Sequence, residues 1–286
     1  MALLKKGDAI GIVACSNPLS STGRQQIRKL AEHLGTFGLR VRLSSGLYGE
    51  AGSFSLATAG NRADELMRMY EDPDIRMICD VSGGDLANTV LPFLDFSVIA
   101  DNFKPFAGYS DLTAVVNAIT VKTGRINFLY QIRHLEDPQY GVQQSSAFYN
   151  TFFNDQTELF DLKYRMLQGN FLEGKIAGGN ARCLLKLAGT EFWPDFSDRI
   201  LFLEANSGLE PQLFTFFTQL KLLGVFDRIR GLVLGTFTQM DAEGRDVWQV
   251  IREFLPGGLP VVQTPDVGHY PNAKLLKIGD YYSFHS

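Results

Sequence analysis

Residues 103–122 read FKPFAGYSDLTAVVNAITVK, and this stretch decides the fold class. Residues 103–109 are predicted to form a strand, and residues 112–122 a helix directly after it. The same order precedes this stretch, with strands predicted at 8–15, 39–43 and 74–81 and helices at 24–37 and 59–71. Strands that alternate with helices of this length indicate βαβ units and a parallel sheet.

A second domain is predicted from the length and from a break in this pattern. The chain has 286 residues, whereas domains hold roughly 150. The pattern degrades over 139–178, which is polar and aromatic, and returns with helices at 182–187, 211–223 and 247–254 and strands at 200–204 and 231–235. We therefore predict an α/β protein with a parallel-sheet N-terminal domain over 1–145, a linker region over 146–178 and a mixed α/β C-terminal domain over 179–286.

Composition and charge exclude several classes of protein. The net charge of −4 and the pI of 5.6 disfavour nucleic acid as a partner, because such binders concentrate basic residues on one face. The apolar run before Cys15 is shorter than the core of a signal peptide, so a buried first strand explains it better. No run approaches the ~20 apolar residues that span a bilayer. We expect a cytoplasmic protein with no membrane partner, whose cysteines Cys15, Cys79 and Cys183 are buried thiols.

Polar residues at the ends of predicted strands could carry chemistry, because ligands of open parallel sheets bind at the carboxyl ends of strands. Ser110 lies where a strand turns into a helix, so its hydroxyl is presented beside free N–H groups that can stabilise an oxyanion. The segment resembles a nucleophile elbow with Leu112 in place of the final glycine. The alternative is that Ser110 and Asp111 only cap the helix.

Two further strand ends offer an acid and a base. Glu204 ends an apolar strand, where a glutamate needs a cation, a histidine or a helix start as its partner. His269 follows a glycine at a strand-to-loop turn, which suits a general base, although a loop histidine bonded to backbone is the alternative. His134, in a loop, is a minor candidate for the same role.

The fourth strand end is the pair Gly83-Gly84, followed by Asp85. Paired glycines let the backbone approach a ligand closely, so their amides could complete an oxyanion hole; a plain turn is the alternative. Together the strand ends supply nucleophile, acid and base in the chain order Ser…Glu…His, which is a serine-hydrolase set. The sequence holds no HExxH, dinucleotide or P-loop pattern, so we predict no metal and no cofactor.

The sequence resembles the LD-carboxypeptidase family. Three segments carry the resemblance in the order and spacing of that family, namely 108–113 (GYSDLT), 203–206 (LEAN) and 268–271 (GHYP). Supporting matches lie at 83–84, 91–95, 178–180 and 275–279, so the likeness covers the chain from 7 to 279.

The resemblance implies a two-domain serine carboxypeptidase, a homodimer, with its active site at the seam between the domains. By this likeness Ser110 is the nucleophile, His269 is the general base and then the acid, and Glu204 orients His269. The oxyanion hole is implied for the backbone amides of Gly84, Asp85 and Asp111. A substrate-binding role is implied for Asn180. The implied substrate is a small peptide, either a cytoplasmic murein peptide cleaved beside a D-amino acid or a peptide–nucleotide conjugate, and it reacts through an acyl-enzyme.

The sequence departs from the family pattern in two places. The pattern Gly-Gly-Tyr-Gly followed by Ser-Asn-Arg is altered at Asp85, Leu86, Ala87 and Thr89, and a Tyr-Gly-Pro segment is altered at Gln131 and Ile132. By the resemblance, both places lie where the substrate would bind. An acidic Asp85 beside the oxyanion hole predicts repulsion of a substrate carboxylate.

Two other functions are compatible with these residues. A small-molecule binding protein built from two α/β halves would bind a ligand in the cleft without turnover. An esterase that uses the same Ser-His-Glu set would differ from the amide hydrolase only in its substrate.

Overall fold

The residues that the structure describes fold around two six-stranded sheets. The computed structural model describes residues 2–20, 23–49 and 55–286. The strands in chain order are β1 (Ala9–Val13), β2 (Arg40–Leu43), β3 (Ile75–Asp80), β4 (Phe106–Gly108), β5 (Asn127–Leu129), β6 (Arg165–Gln168), β7 (Phe171–Asn180), β8 (Arg199–Ala205), β9 (Gly231–Phe237), β10 (Val261–Gln263), β11 (Leu276–Ile278) and β12 (Tyr281–His285).

Helices cover the sheets. In the described part of the chain the α-helices are α1 (Gly23–Thr36), α2 (Leu56–Glu71), α3 (Phe96–Asp101), α4 (Thr113–Thr123), α5 (Gly141–Phe153), α6 (Ala181–Leu185), α7 (Glu210–Leu222), α8 (Thr238–Ala242) and α9 (Val247–Ile251). Short 3₁₀ segments near the site are Ala87–Phe93, Ser110–Leu112 and Ile132–Glu136. Across residues 2–20, 23–49 and 55–286, no helix is both long enough and apolar enough to cross a membrane.

The first sheet has the order β11-β5-β4-β3-β1-β2. Its strands are parallel except β11, which pairs antiparallel with β5 and comes from the far end of the chain. Every residue of β1 is buried, as expected for an inner strand of a parallel sheet covered on both faces. The apolar run before Cys15 is therefore part of the core of this domain.

The second sheet has the order β12-β7-β8-β9-β10-β6. The four inner strands are parallel, whereas β12 and β6 pair antiparallel at the two edges. Strands β8 and β9 are buried at almost every position, and their continuous apolar sequences suit a sheet covered on both faces.

The predicted fold class is confirmed: the protein is a two-domain α/β fold with a parallel-rich first sheet and a mixed second sheet. The boundaries at 145 and 178 stay a prediction. Residues 139–178 contain α5, β6 and most of β7, which the sequence pattern did not reveal. Helix α5 buries Phe148 and Phe152, so its aromatic residues belong to the core of the first domain.

The two sheets meet where α4 lies against the end of β7. The Asn117 side chain donates to the Gly178 carbonyl at 2.8 Å and accepts from the Gly178 N–H at 3.1 Å, and Thr113 Oγ1 accepts from the Asn180 N–H at 3.0 Å. A Cβ on Gly178 would lie 2.1 Å from the Phe202 carbonyl oxygen, so only glycine allows this approach. The helix that begins just after Ser110 is thereby joined to the strand that neighbours β8.

Candidate active site

Ser110 occupies a strained turn between β4 and α4. Its φ of 58° is in the left-handed region, which is rare for residues other than glycine and is often found at functional sites. The turn is tight, because a Cβ at Gly108 would lie 2.6 Å from Leu112 Cβ. Leu112, which stands where a nucleophile elbow has its last glycine, is accommodated by the missing side chain at Gly108.

The backbone N–H of Asp111 is at the start of this turn. The first hydrogen bond of the 3₁₀ segment runs from the Leu112 N–H to the Tyr109 carbonyl at 3.1 Å, so the Asp111 N–H precedes it. N–H groups ahead of the first helical hydrogen bond have no helical acceptor and are available to an anion.

The Asp111 side chain is fully buried and ties the two domains together. One oxygen accepts hydrogen bonds from the Ser16 hydroxyl at 2.6 Å and the Ala87 N–H at 2.8 Å. The other forms an ion pair with Lys186 Nζ at 2.5 Å, from the end of α6 in the second domain. This buried ion pair holds the turn of Ser110 against the second sheet.

Glu204 and His269 form an acid–histidine pair in the second domain. Glu204 Oε2 lies 2.6 Å from His269 Nδ1, and the Glu204 side chain is only 1% exposed. Gly235 leaves room for the acid, since a Cβ there would lie 3.0 Å from Glu204 Cβ. The other imidazole nitrogen, Nε2, is buried and has no hydrogen-bond partner among the residues that the structure describes. A neutral imidazole held in this way can accept a proton at Nε2.

Tyr109 brings the pair next to Ser110. Its ring packs edge-on against His269 with centroids 5.0 Å apart, and Tyr109 directly precedes Ser110 in the chain. Its hydroxyl is buried, and burial together with the Glu204 carboxylate raises the pKa of Tyr109 well above its ordinary value. Ser110 is thus adjacent in the chain to a residue that packs on the acid–histidine pair, but no hydrogen bond joins Ser110 to His269 among the residues that the structure describes.

Gly84 and Asp85, which were predicted to complete the oxyanion hole, lie beside the turn of Ser110. Asp85 forms an ion pair with Arg182 of α6, and this hydrogen bond lowers the pKa of the Asp85 carboxyl. The charge expected to repel a substrate carboxylate is therefore offset by a guanidinium. The Asp85 N–H is already donated to Asn17 Oδ1 at 3.0 Å. Gly84 has a φ of 121°, and a Cβ there would lie 2.4 Å from the Asn17 side chain.

Asn180 ends β7 and pairs in register with Glu204 of β8. Its side-chain oxygen accepts from the Cys183 N–H at 3.3 Å and caps α6, and the residue is 5% exposed. Asn180 therefore lies at the same carboxyl edge as the acid–histidine pair.

Sequence reasoning missed Lys186 and Arg182, which reach across the seam to Asp111 and Asp85. A buried acid after the nucleophile candidate signals that a basic partner is needed. It does not say where that partner lies, and Lys186 is 75 residues further along the chain.

A cavity of about 720 Å³ opens beside the acid–histidine pair. Thr236, which contacts Gly268, and Tyr270, which follows His269, line it, and Tyr140 and Tyr164 are also in the lining. The buried Thr236 hydroxyl has no hydrogen-bond partner in the described part of the chain. The lining of this cavity includes neither Ser110 nor His269, so it adjoins the candidate site without containing it.

A two-domain α/β fold with a strained serine on one side of the seam and an acid–histidine pair on the other is typical of serine-type hydrolases. Models of the LD-carboxypeptidase N-terminal and C-terminal domains match residues 10–130 and 173–283. The chain belongs to the LD-carboxypeptidase family and is a serine carboxypeptidase-like hydrolase, as the sequence predicted.

The sequences of known relatives align with nearly the whole chain. The microcin C7 self-immunity protein MccF of Escherichia coli is 28% identical, over 97% of this chain and 90% of that protein. A probable murein peptide carboxypeptidase of Bacillus subtilis is 27% identical, over 96% of this chain and 88% of that protein. A solved structure of MccF in complex with glutamyl sulfamoyl guanosine superposes with a TM-score of 0.85 and 26% identity, over 99% of this chain and 94% of that one.

Proposed function

We propose that this protein hydrolyses an amide bond of a murein peptide and releases a terminal amino acid, using Ser110, His269 and Glu204. The observation that carries the proposal is the buried pair of Glu204 and His269, with a free Nε2, packed through Tyr109 next to the strained turn of Ser110. The relative named a murein peptide carboxypeptidase supports the class of substrate.

The proposed first step forms an acyl-enzyme. Ser110 Oγ attacks the amide carbonyl carbon while His269 Nε2 takes the hydroxyl proton, and Glu204 holds Nδ1–H of the resulting imidazolium. The negative charge on the former carbonyl oxygen is met by the N–H groups of Gly84 and Asp111. His269 then returns the proton to the leaving nitrogen as the carbon–nitrogen bond breaks, which frees the terminal amino acid.

The second step regenerates the enzyme. Water loses a proton to His269 Nε2 and attacks the ester carbonyl, and the proton passes to Ser110 Oγ as the ester bond breaks. The shortened peptide leaves as a carboxylic acid. Because Asp85 already donates its N–H to Asn17, we assign the oxyanion to the N–H groups of Gly84 and Asp111.

A substitution of Ser110 tests this function. We expect Ser110→Ala to lower kcat/KM for a murein tetrapeptide by at least about 10³-fold, because the nucleophile is lost, whereas the exposed Ser283→Ala should keep wild-type activity. Peptide release is followed by chromatography, and a fluorophosphonate probe should label the wild type and not Ser110→Ala. Equal turnover by Ser110→Ala and the wild type would contradict the assignment. The rates for the amide and for an ester with the same acyl group distinguish an amide hydrolase from an esterase.

A peptide–nucleotide conjugate is the second candidate substrate. The likeness to MccF supports it, because solved structures of that protein hold glutamyl sulfamoyl guanosine and aspartyl sulfamoyl adenosine. Turnover of aspartyl sulfamoyl adenosine without turnover of the tetrapeptide would favour this candidate.

We further infer a cytoplasmic homodimer that acts in peptidoglycan recycling. The family resemblance supports the dimer, and three buried free cysteines suit a reducing compartment. Light scattering on the purified protein tests the dimer, because a particle of 31.8 kDa would be a single chain.

A further inference from the structure

A small cavity lies beside the active site in the first domain. Its volume is about 270 Å³, and its lining includes Gln131, Arg133 and His134 from the segment after β5 and Gln26 and Leu30 from α1. Strand β5 neighbours β4, which leads to Ser110, so both segments leave the same edge of the sheet. The Tyr130 N–H donates to the Gly108 carbonyl at 3.1 Å, which places the segment that carries Arg133 and His134 beside the segment that leads to Ser110.

Arg133 brings an unpaired positive charge to this cavity. Its Nε is buried without a hydrogen-bond partner, and its guanidinium forms no hydrogen bond or ion pair with any residue that the structure describes. Burial lowers the pKa of Arg133 from its ordinary value, yet an arginine stays protonated in proteins. A largely buried cation without an anion is unfavourable, so such a site favours the binding of one.

The carboxylates on this side of the cavity are already engaged. Glu136 Oε1 lies 2.5 Å from His33 Nδ1, and Asp137 Oδ1 accepts the N–H groups of Gln139 and Tyr140, each at 2.9 Å. Neither acid makes an ion pair with Arg133 among the described residues.

The buried carboxylate of Asp80, whose charge acts on Arg133, is engaged as well. Its two oxygens accept the Cys15 N–H at 2.6 Å and the N–H and hydroxyl of Ser82 at 2.7 and 2.6 Å. Its charge still acts on Arg133 and raises the pKa of that guanidinium, but no hydrogen bond joins the two side chains in the part of the chain described. The guanidinium of Arg133 therefore has no acceptor among the residues that the structure describes, and its N–H groups could be satisfied by an anion.

His134 adds a second polar group to the cavity wall. Its Nδ1 is buried and has no partner within the described ranges. A guanidinium with an adjacent imidazole N–H matches a carboxylate, because the flat guanidinium offers two parallel N–H groups and the imidazole offers a third donor.

We propose that Arg133 and His134 bind the terminal carboxylate of the amino acid that leaves the substrate. This inference rests on the proposed function, since a carboxypeptidase must recognise the free end of a peptide whose last amide reaches Ser110. It explains how the chain selects a terminal amide over an internal one: an internal residue has no carboxylate for the cavity. A phosphate of a peptide–nucleotide conjugate is an anion too, and the experiment below separates the two sources.

The test compares two peptides on each protein: the murein tetrapeptide with a free terminal carboxylate and the same peptide as a terminal carboxamide. For the wild type we expect kcat/KM for the carboxylate to exceed that for the carboxamide by about 10- to 100-fold, as for a charge-assisted hydrogen bond. Arg133→Met should bring this ratio to within about 3-fold of one, and Arg133→Lys should give an intermediate ratio, because the charge stays and the planar fork is lost.

The matched control is Arg28→Met, which removes the same charge from an exposed position on α1. It should keep the wild-type ratio. Because the ratio compares two substrates on one protein, it holds even if a variant is partly unfolded. A wild type without preference, or an Arg133→Met protein with the wild-type preference, overturns the proposal.

A binding measurement keeps this result separate from failure of the proposed function. Calorimetry with the Ser110→Ala protein should show tighter binding of the carboxylate peptide than of the carboxamide, and the double variant with Arg133→Met should lose the difference. If neither peptide is hydrolysed by the wild type but this difference in binding holds, the function is wrong and the subsite stands. If adenosine 5′-monophosphate binds the Ser110→Ala protein and loses this binding in the double variant, while the carboxylate peptide shows no such loss, the carboxylate assignment is overturned.

Discussion

His134 links the cavity beside the active site to the stability of the fold. Burial, with a smaller contribution from Arg133, lowers its pKa to about 4. Between about pH 6.5 and 4 the unfolded chain therefore binds a proton here that the folded protein does not. The stabilisation is complete above that window and is lost as the pH falls through it, by up to about 3 kcal/mol.

We expect His134→Gln to lessen this loss of stability in acid. The free energy of unfolding of the wild type should fall between about pH 7 and pH 4.5 by about 2 kcal/mol more than that of the variant. Urea unfolding at the two pH values measures the difference. His285→Gln, at an exposed position of β12, should behave like the wild type. The same acid loss in His134→Gln and the wild type would show that His134 is not the group that titrates.

Single residues also show where sequence reasoning reaches its limit. Glu204 ends an apolar strand, so its need for a partner could be predicted, and the structure supplies His269. Asp85 was expected to repel a carboxylate, because its neighbour Arg182 is 97 residues away in the chain. The local sequence shows that an acid at the end of an apolar strand needs a partner. Which residue offsets the charge of an acid depends on how the domains pack.

At the scale of elements, the close approach of α4, β7 and β8 depends on Gly178. Its φ of 129° is strained for any other residue, and a Cβ would meet the Phe202 carbonyl of β8 at 2.1 Å. Because a backbone atom cannot move aside like a flexible side chain, the strands must separate to admit a methyl group.

Gly178→Ala should therefore lower the free energy of unfolding by about 2–5 kcal/mol, from strain and overpacking together. It should also lower kcat/KM, because Asn117 and Thr113 lose their contacts with β7. The matched control is Gly35→Ala in α1, where a Cβ meets nothing within 4 Å. Chemical denaturation of both variants checks the prediction, and equal stabilities would refute the packing argument.

Strands and helices whose apolar residues recur at a regular spacing could be predicted from the sequence, and those without such a spacing could not. Residues 103–122 gave a strand and helix that the structure places at 106–108 and 113–123. Helix α5 was missed because the polar residues Gln144, Ser145 and Thr151 share its buried face with Phe148 and Phe152, which obscures the helical spacing of its apolar residues. Strand β6 was missed because it is a short edge strand with no buried position.

At the scale of the molecule, the ion pair of Lys186 and Asp111 holds the two halves of the site together. Lys186 Nζ reaches Asp111 at 2.5 Å and the Asp85 carbonyl at 2.8 Å, so one side chain contacts both segments beside Ser110. Asp111 is fully buried, and loss of its partner would leave a carboxylate charge in the interior.

We expect Lys186→Met to lower the free energy of unfolding by about 3 kcal/mol and to reduce kcat/KM. The matched control is Lys122→Met, which removes another lysine that pairs across the seam, with the exposed Glu191. That change should cost less than about 1 kcal/mol, because exposed ion pairs contribute little. Thermal and urea unfolding measure both, and adding Asp111→Asn to Lys186→Met should recover part of the loss. Similar losses for the two lysines would argue against the importance of burial.

The antiparallel strand β11 gives the first domain a dependence on the order of synthesis. Its residues, 276–278, complete the first sheet by covering β5, almost 150 residues after β5 itself leaves the ribosome. Until then the edge of β5 is open, and an open edge can pair with another chain. The two domains are therefore not contiguous segments of the sequence. No division of the chain at one position gives two fragments that each contain a complete sheet.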